Sequence, residues 1–289
     1  MKIIRLIVLL FLILNLQLVN AQDSPLWKIS GNGLSEASYL MGTLKFTGEN
    51  EFYFPEVLTT YIKQCKVFAI EDQVDHHAQH ELNKAIHFPK GQSLKTQLGE
   101  ENYNRVRDFF LSEFGMSHIH FDTHYSKLIP LAISITMTRL SLGEKLKYYD
   151  IELLKVAKSN KLKTYSLEPI SREAEALKSY PMDHQVEALN ESIENFAAQK
   201  NEFIEFMTAY HDHDLKKVFQ FTLHPTETDE NFFNDFYIAR NLEWMPKITK
   251  MISKGPSFIA VGVTHLKGEQ GLLELLRAEG FEVTSVKLD

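Results

Sequence analysis

Short apolar runs lie towards both ends of the chain, and apolar positions at helical spacing fill the stretch between them. Ser257-Phe-Ile-Ala-Val261 is β-branched and aromatic and follows Gly255-Pro256, which predicts a buried strand. After Gly262 comes a polar loop with His265, then Leu272, Leu273, Leu275 and Leu276 ahead of Gly280, which predicts a helix over about 268–278. Phe281 to Val286 returns as a strand. Near the start, strands through Trp27 and through Tyr39 to Leu44 flank the turn Gly31-Asn32-Gly33. Pro55 opens a helix to Cys65, and Lys66 to Ile70 reads as a strand parallel to the second. Tyr103, Val106, Phe109, Phe110 and Phe114 form a helical stripe that closes at Gly115. A buried helix with Pro130 in its first turn, a helix over 148–158, a strand over 162–167 and a short helix over 171–177 follow. Met182 to Ser253 holds no strand pattern and reads as three or four helices, broken near His211 to Asp214 and at His224-Pro225. The expected fold is α/β: a central mixed sheet flanked by helices, with a helical cap over about 182–253 inserted before the last strands, all in one domain over 22–289.

Composition sharpens this in three ways. Residues 1–21 have a basic start (Lys2, Arg5), an apolar stretch from Leu6 to Leu14 and small residues up to Ala21, the pattern of a cleaved signal peptide. The apolar stretch is short for a bilayer, so the expectation is an exported protein, periplasmic or secreted, with no membrane span in the mature chain. The net charge of −7 becomes more negative once that segment is removed, and the basic clusters are short, which argues against nucleic acid as a partner. Cys65 is the single cysteine, so no intramolecular disulfide is available, and it reads as a small packed hydrophobe.

Candidate chemistry gathers where strands end, because ligands in open α/β sheets bind outside the carboxyl ends of the strands. Lys45, Glu71, Glu168 and His265 each follow a predicted strand, so one rim is expected to carry all four. Arg240 lies on a predicted helix and reads either as a solvated charge or as a partner for Glu71, Glu168 or a substrate carboxylate. Asp150 precedes a helix and reads as a cap. His76 and His80, His118 to His124, and His211 with His213 read as surface histidines, with the first pair the place for a displaced metal ligand.

The chain resembles the TraB/GumN family, relatives of the Tiki-type metalloproteases. The resemblance runs through Leu26 to Gly31, Ser38 to Leu44, Phe52 to Pro55, Val67 to Glu71, Asp150 with Leu153 and Ala157, Ser166 to Glu168, Ala239-Arg-Asn241 with Trp244, and Phe258 to Leu273. It implies a pair of Gly-x-x-His motifs plus a glutamate that bind a divalent metal. Gly262 to His265 and Glu71 match, whereas Lys45 stands where the family has histidine. The implied function is a metal-dependent, peptidase-like hydrolase. In it Glu71 and His265 would hold Mn, Co or Zn, Glu168 and Arg240 would orient a peptide or small-molecule substrate, and Lys45 would modify the site. A protonated lysine has no lone pair to offer a metal. The alternative is therefore a non-catalytic envelope binding protein that keeps the pocket without the metal.

Overall fold

A computed structural model describes residues 24–72, 76–143 and 145–288. The expected signal peptide lies outside the described residues.

The strands are β1 (Leu26–Gly31), β2 (Ser38–Thr43), β3 (Thr47–Gly48), β4 (Val67–Ile70), β5 (Leu146–Lys147), β6 (Lys163–Ser166), β7 (Ser257–Gly262) and β8 (Phe281–Ser285). Six of them form one mixed sheet in the order β6-β4-β7-β2-β1-β8, and β3 pairs with β5 apart from it. β2, β7, β4 and β6 run parallel, while β1 is antiparallel to both β2 and β8. The strand over 67–70 does run in the direction of β2, as expected, but β7 separates the two. The predicted α/β class with a mixed sheet and flanking helices is what the chain forms.

Burial on both sheet faces explains the unbroken apolar run of β7, whose Phe258, Ile259, Ala260 and Val261 are all fully buried. Around this sheet one core gathers Leu40, Phe68, Leu153, Trp244, Ile248 and Leu276. A second, helical core joins Phe110, Phe121, Ile133, Leu189 and Phe232. The segment 182–253 divides between these two cores. Its last helix, Ala239–Lys254, turns Trp244, Met245, Ile248 and Ile252 inward against the sheet.

Among the described residues that segment holds five α-helices and a π-helical turn (Asn234–Ile238), more than the three or four its periodicity suggests. Two of the five, Leu215–Val218 and Glu230–Phe233, are single turns too short to show a repeating stripe. The breaks fall where expected, after His211 and at the cis His224–Pro225 peptide. The C-terminal helix begins at Leu272, later than the spacing predicts: Gly268 takes a positive φ of 80° and Gly271 is extended as the N-cap.

Candidate functional site

The carboxyl ends of four parallel strands deliver four side chains to one place. β2 leads to Lys45, β4 to Glu71, β6 to Glu168 and β7 to His265. The registers Ile70↔Ala260 and Ile70↔Ser166 keep these ends level. Two glycines allow the close approach. A Cβ at Gly42 would lie 3.1 Å from the Val263 Cα and 2.7 Å from a Leu266 methyl, so β2 can pack against the turn that carries His265 only without a side chain there. A Cβ at Gly262 would lie 3.2 Å from Glu71 Oε1, where the Gly262 N–H instead donates to that oxygen.

A fifth side chain enters from the helix Ala239–Lys254. Arg240 is fully buried, which excludes the reading of a solvated helix charge. It donates to Glu168 Oε1 from Nε at 3.0 Å and from Nη2 at 2.8 Å, and Nη2 also reaches Glu71 Oε2 at 3.1 Å. Nη1 donates to the carbonyl of Phe236, in the π-helical turn that precedes this helix, at 3.0 Å. Phe236 and Trp244, one turn before and one turn after, place their rings 4.7 and 4.9 Å from the guanidinium carbon. Burial works against the Arg240 charge, but Glu71 and Glu168 outweigh it and raise its pKa further. Glu168 also accepts from the Trp244 indole at 2.8 Å.

His265 is not in an open polar loop. It sits in the 3₁₀ turn, 1% exposed, with the Trp244 ring 4.4 Å and the Tyr237 ring 5.1 Å from its own. Asn241 fixes its tautomer. The Asn241 Nδ2 donates to the carbonyls of His265 and Gln270 at 3.1 and 3.0 Å, so its Oδ1 is the atom facing His265 Nδ1 at 2.7 Å. The proton is thereby assigned to Nδ1, and Nε2 keeps its lone pair. Nε2 lies 3.9 Å from Glu71 Oε1 and 3.5 Å from Arg240 Nη1. Burial, helped by the positive charges of Arg240 and Lys45 and opposed by Glu71, drives its pKa down to about 3, so the ring is neutral at pH 7.

Lys45 is the exposed member of the five: its side chain is 52% exposed, against 7% or less for Glu71, Glu168, Arg240 and His265. Its Nζ lies 3.8 Å from Glu71 and 3.6 Å from Glu173. Loss of water contact opposes the charge, but Glu173, Glu71, Asp72 and Asp150 together raise its pKa well above the usual lysine value. Burial also works against the Glu71 carboxylate, yet Lys45, Arg240 and the Gly262 N–H hold it ionised far below the ordinary range.

Three contributors were not singled out by their local sequence. Glu173, in the first turn of the helix Ile170–Ser179, is 5% exposed and has its Oε1 3.6 Å from the Lys45 Nζ. Asp72 faces it, and burial with that contact raises the Asp72 pKa to about 9. Asn241 is the third. Asp150 does not cap its helix; it lies inside the first turn of Tyr149–Ser159 with the Thr43 hydroxyl 2.9 Å away, and burial raises its pKa to about 6.

Against a divalent ion this donor set falls short. Glu71 Oε1 and His265 Nε2 are near enough to share one, but the next position is an ammonium without a lone pair. Arg240 places a second permanent cation beside Nε2, and both Glu71 oxygens already accept hydrogen bonds. Among the described residues, no three His, Cys, Asp or Glu side chains converge as metal ligands elsewhere.

The TraB/PrgY/gumN family model matches residues 25–285. The chain belongs to that family. No curated protein and no solved structure matches it. The match spans the whole sheet, from just before β1 to the end of β8, so the family assignment and the rim concern the same structural unit.

Proposed function

We propose that this TraB/PrgY/gumN-family chain is an exported binding protein that uses the family's pocket without a metal ion. The observation that carries the reading is the filling of the centre by the chain's own cations: Arg240 between Glu71 and Glu168, and Lys45 over Glu71. Four of the five groups are buried and mutually satisfied, so an incoming molecule meets Lys45 first. Its distances to Glu71 and Glu173 exceed hydrogen-bond length, which leaves its N–H donors available. With that many carboxylates behind the ammonium, a neutral acceptor such as a peptide carbonyl suits it better than an anion. Export is part of the proposal, supported by the pattern of residues 1–21. No helix among the described residues is long and apolar enough to cross a membrane.

A second reading, a metal-dependent peptidase-like hydrolase, has one observation in its favour: Glu71 Oε1 and His265 Nε2 stay 3.9 Å apart, with a lone pair on each. Titration with Mn, Co and Zn separates the two. The binding-protein reading expects no stoichiometric metal in the natural protein and a gain in Lys45→His. Stoichiometric metal in the natural protein, lost in His265→Ala together with peptide hydrolysis, would overturn it.

A further inference from the structure

A second constellation stands well away in sequence from the buried cluster, on the short helix His118–His124. Its first turn is capped by Ser117, whose hydroxyl accepts from the His120 N–H at 3.3 Å. Phe121 is fully buried and packs its ring 4.9 Å from Phe110 and 5.9 Å from Tyr103, which anchors the inner face. The outer face therefore has a fixed orientation, and it presents His120 and His124, both exposed, one turn apart.

The two imidazole rings lie with centroids 4.5 Å apart and planes tilted by 42°. Among the described residues no hydrogen bond or ion pair engages either imidazole. The neighbouring groups are committed elsewhere: His118 to Asp108 at 2.8 Å, and Asp122 to Tyr103 and Arg107 at 2.6 and 3.2 Å.

Metal–nitrogen bonds of about 2.0–2.1 Å put each ring centre roughly 3.2 Å from a bound ion. Two such ligands at a right angle then have centroids ~4.5 Å apart, and at a tetrahedral angle ~5.2 Å. The observed 4.5 Å equals the right-angle value. Histidines at i and i+4 on one helix face are a recognised arrangement for sharing a metal. We propose that His120 and His124 form a two-histidine surface site for a tetragonal divalent ion, Cu(II) ahead of Ni(II). Copper takes precedence because nitrogen sites of given geometry bind it most tightly among the first-row divalent ions. Water fills the remaining coordination positions.

The test uses the whole protein, titrated with Cu(II) and followed by calorimetry and electron paramagnetic resonance. His120→Ala and His124→Ala are compared with the natural protein and with His211→Ala. The expected result is one equivalent of copper with the splitting of two imidazole nitrogens in the natural protein and in His211→Ala. Either alanine at 120 or 124 should weaken that binding ~tenfold or more, since the second ligand no longer acts intramolecularly. Unchanged affinity and spectrum in both variants would overturn the proposal, as would copper lost in His265→Ala but kept in His120→Ala. Both side chains are exposed, so the variants should keep the natural circular dichroism and be read without a folding loss.

Discussion

Arg240 and Glu168 are joined by two hydrogen bonds, 2.8 and 3.0 Å long, with the guanidinium fully buried and the carboxylate side chain 1% exposed. Breaking such a pair strands a charge in a place that water does not reach. Arg240→Met should therefore cost about 3–5 kcal/mol in urea unfolding. Glu168→Gln in the same chain should recover part of that, because it removes the buried negative charge that has lost its cation. Lys45→Ala, at the half-exposed end of the cluster, should cost no more than about 1 kcal/mol. A similar cost for the two variants would mean that the burial gradient across the site is wrong.

The neutral His265 makes stability depend on pH with a definite sign. Its folded-state pKa is about 3, below the ordinary 6.5, so between those values the unfolded chain binds more protons than the native one. Stability from this residue is complete above about pH 6.5 and falls by up to about 1.4 kcal/mol per pH unit on acidification. Asp150 acts in the opposite sense. Its pKa is raised from 3.8 to about 6, so its contribution is present at low pH and lost as pH rises through that window. The two partly cancel in the natural protein, and the variants separate them. Relative to the natural protein, stability between pH 4 and 7 should shift towards falling with pH in His265→Gln and towards rising with pH in Asp150→Asn.

Asn241 makes a narrower prediction. Asn241→Leu removes the acceptor from His265 Nδ1 and leaves a buried N–H unpaired, at a cost of about 1–3 kcal/mol. Nitrogen-15 chemical shifts of the His265 ring should report one tautomer, protonated at Nδ1, in the natural protein and a mixture in the variant. A mixture in the natural protein would contradict the assignment.

The two glycines should respond differently to a methyl group. In Gly42→Ala the new Cβ meets the Val263 backbone at 3.1 Å, so the whole His265 turn has to shift, at about 1–3 kcal/mol. In Gly262→Ala the closest atom is Glu71 Oε1 at 3.2 Å, the end of a side chain, and the smaller loss should appear in thermal melts beside a disturbed Glu71. Equal melting temperatures for the two alanine variants would remove the packing account.

The rim was legible in the sequence because it depends on local signals. Lys45, Glu71 and His265 each follow a run that forms a buried strand, Glu168 follows the largely exposed edge strand β6, and parallel strands bring their ends to one edge. The depth of the site was not legible. His265 follows a strand and precedes a polar stretch, yet Trp244 and Tyr237 bury it from a helix that its own neighbours do not specify. For Arg240 the sequence left two readings open, and the structure chose the buried one through Phe236 and Trp244. That aromatic spacing of four on either side was the available signal. Glu173 and Asp72 gave none, since a glutamate in a first helical turn is ordinary and only tertiary packing closes it over Lys45.

The position of β7 between β2 and β4 has a bearing on how the chain acquires its shape. The central strand of the sheet is the next to last to arrive, more than two hundred residues after β2. A chain emerging amino end first holds β2 and β4 with unpaired edges until Gly262 is out. The pairing is then closed over a long intervening stretch, the slowest kind of contact to make. Assembly of this sheet is a late event, and a chain cut short anywhere before residue 257 lacks the strand that its two halves share.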